Sequence, residues 1–166
     1  MSDLEIRPAR VGELKAVGEL TLAAYSADRV LVEGVGYAAE LLDAARRAEL
    51  AELLVAVDGD GTLVGTVTIA RPGTAFAELS REGELEFRML GVLPSATGRG
   101  IGEALTRAVI ERARELGVDR VVLCSMVTME RAHRLYERLG FTRLPERDWE
   151  PHPGVTLVAF GLELGV

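Results

Sequence analysis

Gly98, Gly100 and Gly102 stand at alternate positions in LPSATGRGIGEAL, residues 93–105, between an apolar β-rich run and a long helical one. A glycine turn between strand and helix is suited to anions. The first amides of a helix have no partner within it and lie at the positive end of its dipole, and glycines let a phosphate approach the backbone. Two familiar versions fail on the residues. A nucleoside triphosphate loop requires GxxxxGK followed by Ser or Thr, but Glu103 stands five residues after Gly98 and no lysine is near. A dinucleotide fingerprint requires a third glycine where Glu103 falls, and the next strand ends in Cys124 and Ser125 without an acid for a ribose. Taken alone, the turn is either a tight corner or an anion site of another kind.

Other reactive residue types are sparse. No serine sits in a GxSxG turn, and no spacing of His, Cys, Asp and Glu resembles a metal site. His133 borders the apolar stripe of a helix and reads as solvated. Cys124, the one cysteine, rules out an internal disulfide, and its VVLCS setting is that of a small core residue. Asp148, Trp149 and His152 lie together in one loop and could bind a cation, unless Trp149 only caps the core.

The elements that position these residues follow from periodicity. LEIRPA (4–9) reads as a short edge strand. Val11, Leu14, Val17, Leu20 and Ala24 recur at helical steps. A second helix is expected over Tyr37 to Leu50, with Ala38, Leu41, Leu42, Ala45 and Ala48 inward and Arg46, Arg47 and Glu49 outward. SADRVLVEGVG joins the two as a loop. ELLVAVD and TLVGTVTIA flank a Gly-Asp-Gly hairpin turn. In ELEFRMLGVL, Leu85, Phe87 and Met89 alternate, yet Leu90 and Val92 are the next apolar residues, a slip of one that predicts a β-bulge near Met89 and Leu90. IGEALTRAVIERAREL is a strong helix closed by Gly117. VDRVVLC is a buried strand, Met129 to Leu139 a helix with Thr128 as candidate N-cap, and FTRLP and VTLVAFGLEL two closing strands joined by ERDWEPHPG.

Composition narrows the function. At 166 residues, with 48% apolar and 27% charged residues, the chain suits one globular domain, 1–166. A formal net charge of -7 argues against nucleic acid, whose binding needs clustered Lys and Arg, and suits a cationic small molecule or peptide. No apolar run approaches a membrane span, and MSDLEIRPAR lacks a signal-peptide core, so a cytoplasmic location is expected. Apolar residues in the last strands offer a surface on which a homodimer could form.

The stretch from Glu84 to Phe141 resembles the GNAT superfamily of N-acetyltransferases. Its coenzyme A signature is an Arg or Gln, two residues, Gly, one residue, then Gly or Ala, after a strand ending Val-x-Pro; Val92, Pro94, Gly100 and Gly102 fall in register. A later Ala-x-x-Leu-Tyr helix ending Gly-Phe matches Ala132, Leu135, Tyr136, Gly140 and Phe141. Two positions depart: Thr97 replaces the Arg or Gln, and Met129 replaces an Asn common in the family.

The resemblance implies an α/β (α+β) three-layer fold with a central mixed, mostly antiparallel sheet of about seven strands and helices on both faces. It also implies acetyl-CoA as co-substrate, no metal, and direct acetyl transfer to a primary amine, with a small molecule before a protein amine. A non-catalytic acyl-CoA-binding or sensor domain is the alternative. Leu90, Gly91 and Val92 would pair with the pantetheine arm, which adds to the bulged strand. Thr97, Gly98, Arg99, Gly100, Ile101 and Gly102 would hold the pyrophosphate, Arg99 supplying positive charge, and Met129 would flank the arm. Tyr136 would protonate the departing thiolate. Glu86 would be the base, unless Glu84, Glu86 and Arg88 form only a solvated stripe.

Overall fold

The computed structural model describes residues 3–27 and 37–165. Alternating and β-branched runs form an eight-stranded mixed sheet: β1 (Glu5–Pro8), β2 (Glu52–Val57), β3 (Leu63–Ala70), β4 (Glu84–Val92), β5 (Arg120–Met126), β6 (Thr142–Arg143), β7 (Trp149–His152) and β8 (Val155–Glu163). The spatial order is β1-β2-β3-β4-β5-β8-β6, with β7 also on β8. Every described pairing is antiparallel except β4 with β5. Strand β7 lies within ERDWEPHPG, expected to be a connection. It pairs with β8 only at Trp149 with Leu157 and His152 with Val155, across a register shift, so it leaves no alternating pattern to read.

Helices cover both faces. On one, α4 (Ile101–Leu116) and α5 (Glu130–Arg138) bury Ile101, Leu105, Val109 and Tyr136 against Val67, Leu85, Phe87, Leu123 and Phe160. On the other, α1 (Leu14–Ala27), α2 (Tyr37–Leu42) and α3 (Ala44–Leu50) contribute Val17, Leu41 and Ala44 to smaller clusters. No helix among the described residues is long and apolar enough to cross a membrane.

Three helix expectations change. Val11–Glu13 is a 3-10 turn rather than the start of α1, and Val11 is 87% exposed. The helix expected from Tyr37 to Leu50 breaks at Asp43, whose carboxylate accepts the Arg46 amide and starts α3 afresh. That restart turns Ala44 and Arg47 inward, while Ala45 and Ala48 face outward. Arg47 is fully buried, with its guanidinium donating to the Glu40 carbonyl at 2.8 Å and to Thr21 Oγ1 at 3.3 Å. At α5 the N-cap is Met129, not Thr128, and no side chain caps it. The loop expected from Ser26 to Gly36 lies outside the described residues from 28 onward.

The slip expected in β4 is a bulge. Thr66 faces Gly91 and Thr68 faces Arg88, so Met89 and Leu90 together oppose Val67, and Met89 takes φ 54°. The extra residue rotates the strand. Leu85, Phe87, Leu90 and Val92 serve the main core, whereas Met89 crosses to pack with Leu41, Ala70 and Phe76 instead of continuing the Leu85–Phe87 face. Ahead of the bulge β4 also leaves β5. Their parallel pairing covers only Glu84 to Glu86 against Arg120 to Val122, and past it the strands diverge.

Candidate active site

After β4 the chain makes a 3-10 turn at Pro94–Ala96, passes Thr97 to Gly100, and enters α4. Gly98 and Gly100 both have left-handed φ, 83° and 76°, and no atom lies within 4 Å of where a Cβ would sit on either. Their requirement is therefore conformational, and the space over the turn is open. Gly100 caps α4 without a side-chain bond, and the first described helical bond runs from the Ala104 amide to the Gly100 carbonyl. The amides of Ile101, Gly102 and Glu103 are left without partners inside the helix.

Above them runs a groove of about 510 Å³, lined by Leu90, Gly91, Val92, Thr97, Gly98, Gly100, Ile101 and Gly102 on one side and by α5 on the other. Helix α5 lines it with Arg131, Arg134 and Arg138, spaced on one helical face. Arg138 pairs with Glu103 at 3.1 Å, while Arg131 and Arg134 have no carboxylate partner among the described residues. Sequence reasoning missed these arginines, although their three- and four-residue spacing in ERAHRLYER was visible. Arg99, expected to supply this charge, does not line the groove; it is half exposed and runs toward Asp58 of the β2–β3 turn, 4.0 Å away.

A second cavity, of about 320 Å³, fills the opening between β4 and β5. Its walls are largely apolar, with Phe87, Met89, Leu123, Met126 and, from the β7–β8 hairpin, Pro151 and Leu157; its polar groups include Glu40, Glu78 and Arg88. Tyr25, Leu90, Met129 and Tyr136 line both spaces, so groove and cavity meet at the bulge. Tyr136 is 4% exposed and packs against Phe87, Phe141 and Phe160 with ring centroids 5.8 Å away in each case. Burial raises its phenol pKa, so it keeps its proton at neutral pH.

The carboxylates of β4 differ from expectation. Neither Glu84 nor Glu86 belongs to a solvated stripe: they are 6% and 0% exposed. Glu84 ties together Arg147 at 2.7 and 2.8 Å, Arg120 at 3.1 Å and the Arg81 amide at 2.9 Å. Burial pushes its pKa up, but the Arg147 and Arg81 bonds outweigh burial and hold it below the ordinary carboxylate value. Glu86, the expected base, accepts the amides of Glu78, Leu79 and Ser80 at 2.9 to 3.1 Å. A carboxylate so occupied anchors a loop. What it presents to the cavity is Glu78, which sequence reasoning did not single out because the AELS run carries no pattern. Glu78 pairs with Arg88 at 2.9 Å, and burial raises its pKa over the opposing pull of Arg88.

A family model described as Acetyltransferase (GNAT) family matches residues 20–141. The chain belongs to the GNAT family. It is 42% identical over 89 residues to a mycothiol acetyltransferase from Beutenbergia cavernae, a match covering 54% of this chain and 27% of that protein. The chain thus spans under a third of the length of the curated relatives it matches. Across its whole length it superposes on a GCN5-related N-acetyltransferase from Kribbella flavida, with TM-score 0.71, 27% identity and 98% of both chains covered. A GNAT acetyltransferase from Brucella melitensis in complex with acetyl-CoA shares the fold at TM-score 0.65 and 23% identity, over 100% of this chain and 91% of that one.

Within this GNAT fold, the two departures sit in the groove. Thr97 lines it, its hydroxyl donating to the Pro94 carbonyl at 3.2 Å, and Met129 lines both groove and cavity. Cys124 is not core. It is half-buried, lines the cavity, and its thiol lies 3.5 Å from Glu78 Oε1, with burial pushing its pKa up. Donor atoms of Glu78, Glu86 and Cys124 lie within 4.8 Å of one another. Arg88 and the loop amides already engage the two carboxylates, so the donor set is one that stabilises itself. His133 is half-buried rather than solvated, its ring tilted against that of Phe160 with centroids 5.1 Å apart. Of the expected Asp148–Trp149–His152 cluster, Trp149 hydrogen-bonds Cys124 of the cavity wall. Asp148 accepts the Ala159 amide at 2.8 Å and pairs with Arg143, Trp149 is 37% exposed, and the side chain of His152 lies outside the described residues.

Proposed function

We propose that this GNAT chain transfers the acetyl group of acetyl-CoA directly to a small primary amine, both substrates being bound together. The observation that carries this is the meeting of an amide-lined groove and a partly acidic cavity at the β4 bulge, with Tyr136 at the junction. The free amides at the start of α4 and the guanidinium groups of Arg131 and Arg134 suit the phosphates of acetyl-CoA. Leu90, Gly91 and Val92 offer main-chain groups for the pantetheine arm, and an amide among them would polarise the thioester carbonyl as negative charge develops. Tyr136 would give its proton to the departing thiolate.

The acceptor enters from the cavity. A cationic amine is favoured by Glu40 and Glu78, and the apolar walls suit a compact organic body. Glu78 takes the role first expected of Glu86: a carboxylate with raised pKa removes the proton of an entering ammonium, while Glu86 holds its loop. An amine panel followed by thiol release tests the reading. Turnover of small amines that collapses in Tyr136→Phe supports it. Acetyl-CoA binding without turnover of any amine would instead make the domain a sensor, the reading to which Thr97 and Met129 lend support.

A further inference from the structure

The cavity that Glu78 lines also reaches a pair of residues that the roles above leave unused. Ser125, 6% exposed near the end of β5, lines the cavity, and its Oγ lies 3.2 Å from His133 Nε2 on α5. The imidazole also hydrogen-bonds the Met126 main chain and rests on Phe160. With one ring proton held by that main chain, Nε2 is left to accept from the Ser125 hydroxyl. Met129 Sδ, 3.6 Å from the same Oγ, is the hydroxyl's other contact.

Acetylation of an ammonium releases two protons from nitrogen. The first must leave before attack; the second becomes acidic only once the N–C bond has formed and nitrogen carries positive charge in the tetrahedral intermediate. Glu78 serves the first. We propose that Ser125 and His133 form a relay for the second, one that rests on the transferase reading above. As the intermediate collapses, the amine proton passes to Ser125 Oγ, the Ser125 proton passes to His133 Nε2, the C–S bond breaks, and Tyr136 protonates the thiolate. His133 then returns its proton to the Tyr136 phenolate, directly or through solvent, Glu78 releases the first proton to solvent, and the net reaction yields amide, free thiol and one proton.

The surroundings suit a proton acceptor. Burial lowers the His133 pKa below its ordinary 6.5, so the ring is neutral at pH 7. Of the charged groups that act on it, Arg143 of β6 favours the neutral ring, whereas Glu137 and Glu130 of its own helix favour the charged one. Protonation of the ring would disable the relay, so its contribution to kcat is lost as pH falls through the His133 pKa.

Ser125→Ala and His133→Gln, compared with the wild-type chain on an amine that it turns over, test the relay. Expected is a fall in kcat of about 100-fold in each, unchanged acetyl-CoA affinity, and loss from the kcat–pH profile of the acid limb that His133 contributes. A kcat within threefold of wild type in either variant overturns the relay, as does a lower kcat with the acid limb intact, which a purely structural pair would give. If one variant no longer binds acetyl-CoA, the other decides. A wild-type chain that binds acetyl-CoA yet acetylates no amine overturns the transferase reading and the relay with it. Wild-type turnover with indifferent variants overturns the relay alone.

Discussion

The groove over α4 and the cavity between β4 and β5 share a border at Leu90 and Tyr136 but are made of different material. One wall of the groove is built from main chain, with two left-handed glycines, the unpaired amides of a helix start and the bulged strand just before them in one continuous stretch, and α5 supplies the opposite wall with side chains that include Arg131 and Arg134. The cavity is built from side chains of β4, β5, the loop before β4 and the β7–β8 hairpin. A main-chain site suits a constant ligand, because amides do not change with side-chain identity. A side-chain site suits a variable one, since each wall residue changes independently.

Substitutions at the border and on either side of it would sharpen or break this division. The largest effect is expected at the border itself. Tyr136→Phe should lower kcat by about 1000-fold with acetyl-CoA affinity unchanged, measured by thiol release and calorimetry; a parallel loss of affinity would mean that the ring holds the ligand instead. On the cavity side, Glu78→Gln should lower kcat/KM by about 100-fold at pH 7, less at alkaline pH, where amines lose their proton unaided. In the wild type, activity that needs ionised Glu78 should be lost as pH falls through a pKa above the ordinary carboxylate value.

Glu86→Gln tests the anchor. It should cost about 2 kcal/mol of stability through weakened charge-assisted bonds, seen in denaturant melts, and raise the amine KM more than it lowers kcat. On the groove side, Gly100→Ala forces an L side chain into φ 76° and should cost about 1 to 2 kcal/mol, weakening acetyl-CoA roughly tenfold without altering the order of preferred amines. The smallest effect is expected at Arg131→Ala, about threefold in acetyl-CoA affinity and shrinking as salt is added, because the guanidinium is exposed and screened. Amine preference that shifts with the groove substitutions would collapse the distinction between the two regions.

Several features of both regions were legible before folding was considered. The slip near Met89 and Leu90 in β4 is a local offset in periodicity, and a one-residue offset has one cheap structural solution. The α4 boundaries follow from Gly100 and Gly117, whose conformations few other residues adopt readily. Arg47 illustrates the opposite case. Its polarity placed it outside, but the Asp43 cap resets the helical phase, and the Glu40 carbonyl and Thr21 hydroxyl of neighbouring elements make its burial tolerable. Glu86 and Glu78 were separated by geometry alone, since a glutamate on a strand looks the same whether its partners are water, substrate or three amides.

The chain's own order of residues therefore determined most of the elements, the bulge, the glycine turn and the tyrosine-bearing helix, because each depends on neighbours within a few positions, whereas β7 left no such local record. Tertiary structure decided which carboxylate is exposed to the cavity, where Arg99 and the α5 arginines point, and that Ser125 meets His133. Those outcomes depend on contacts between elements far apart in sequence. Burial and hydrogen-bond partners there are set by packing, and periodicity carries no record of them.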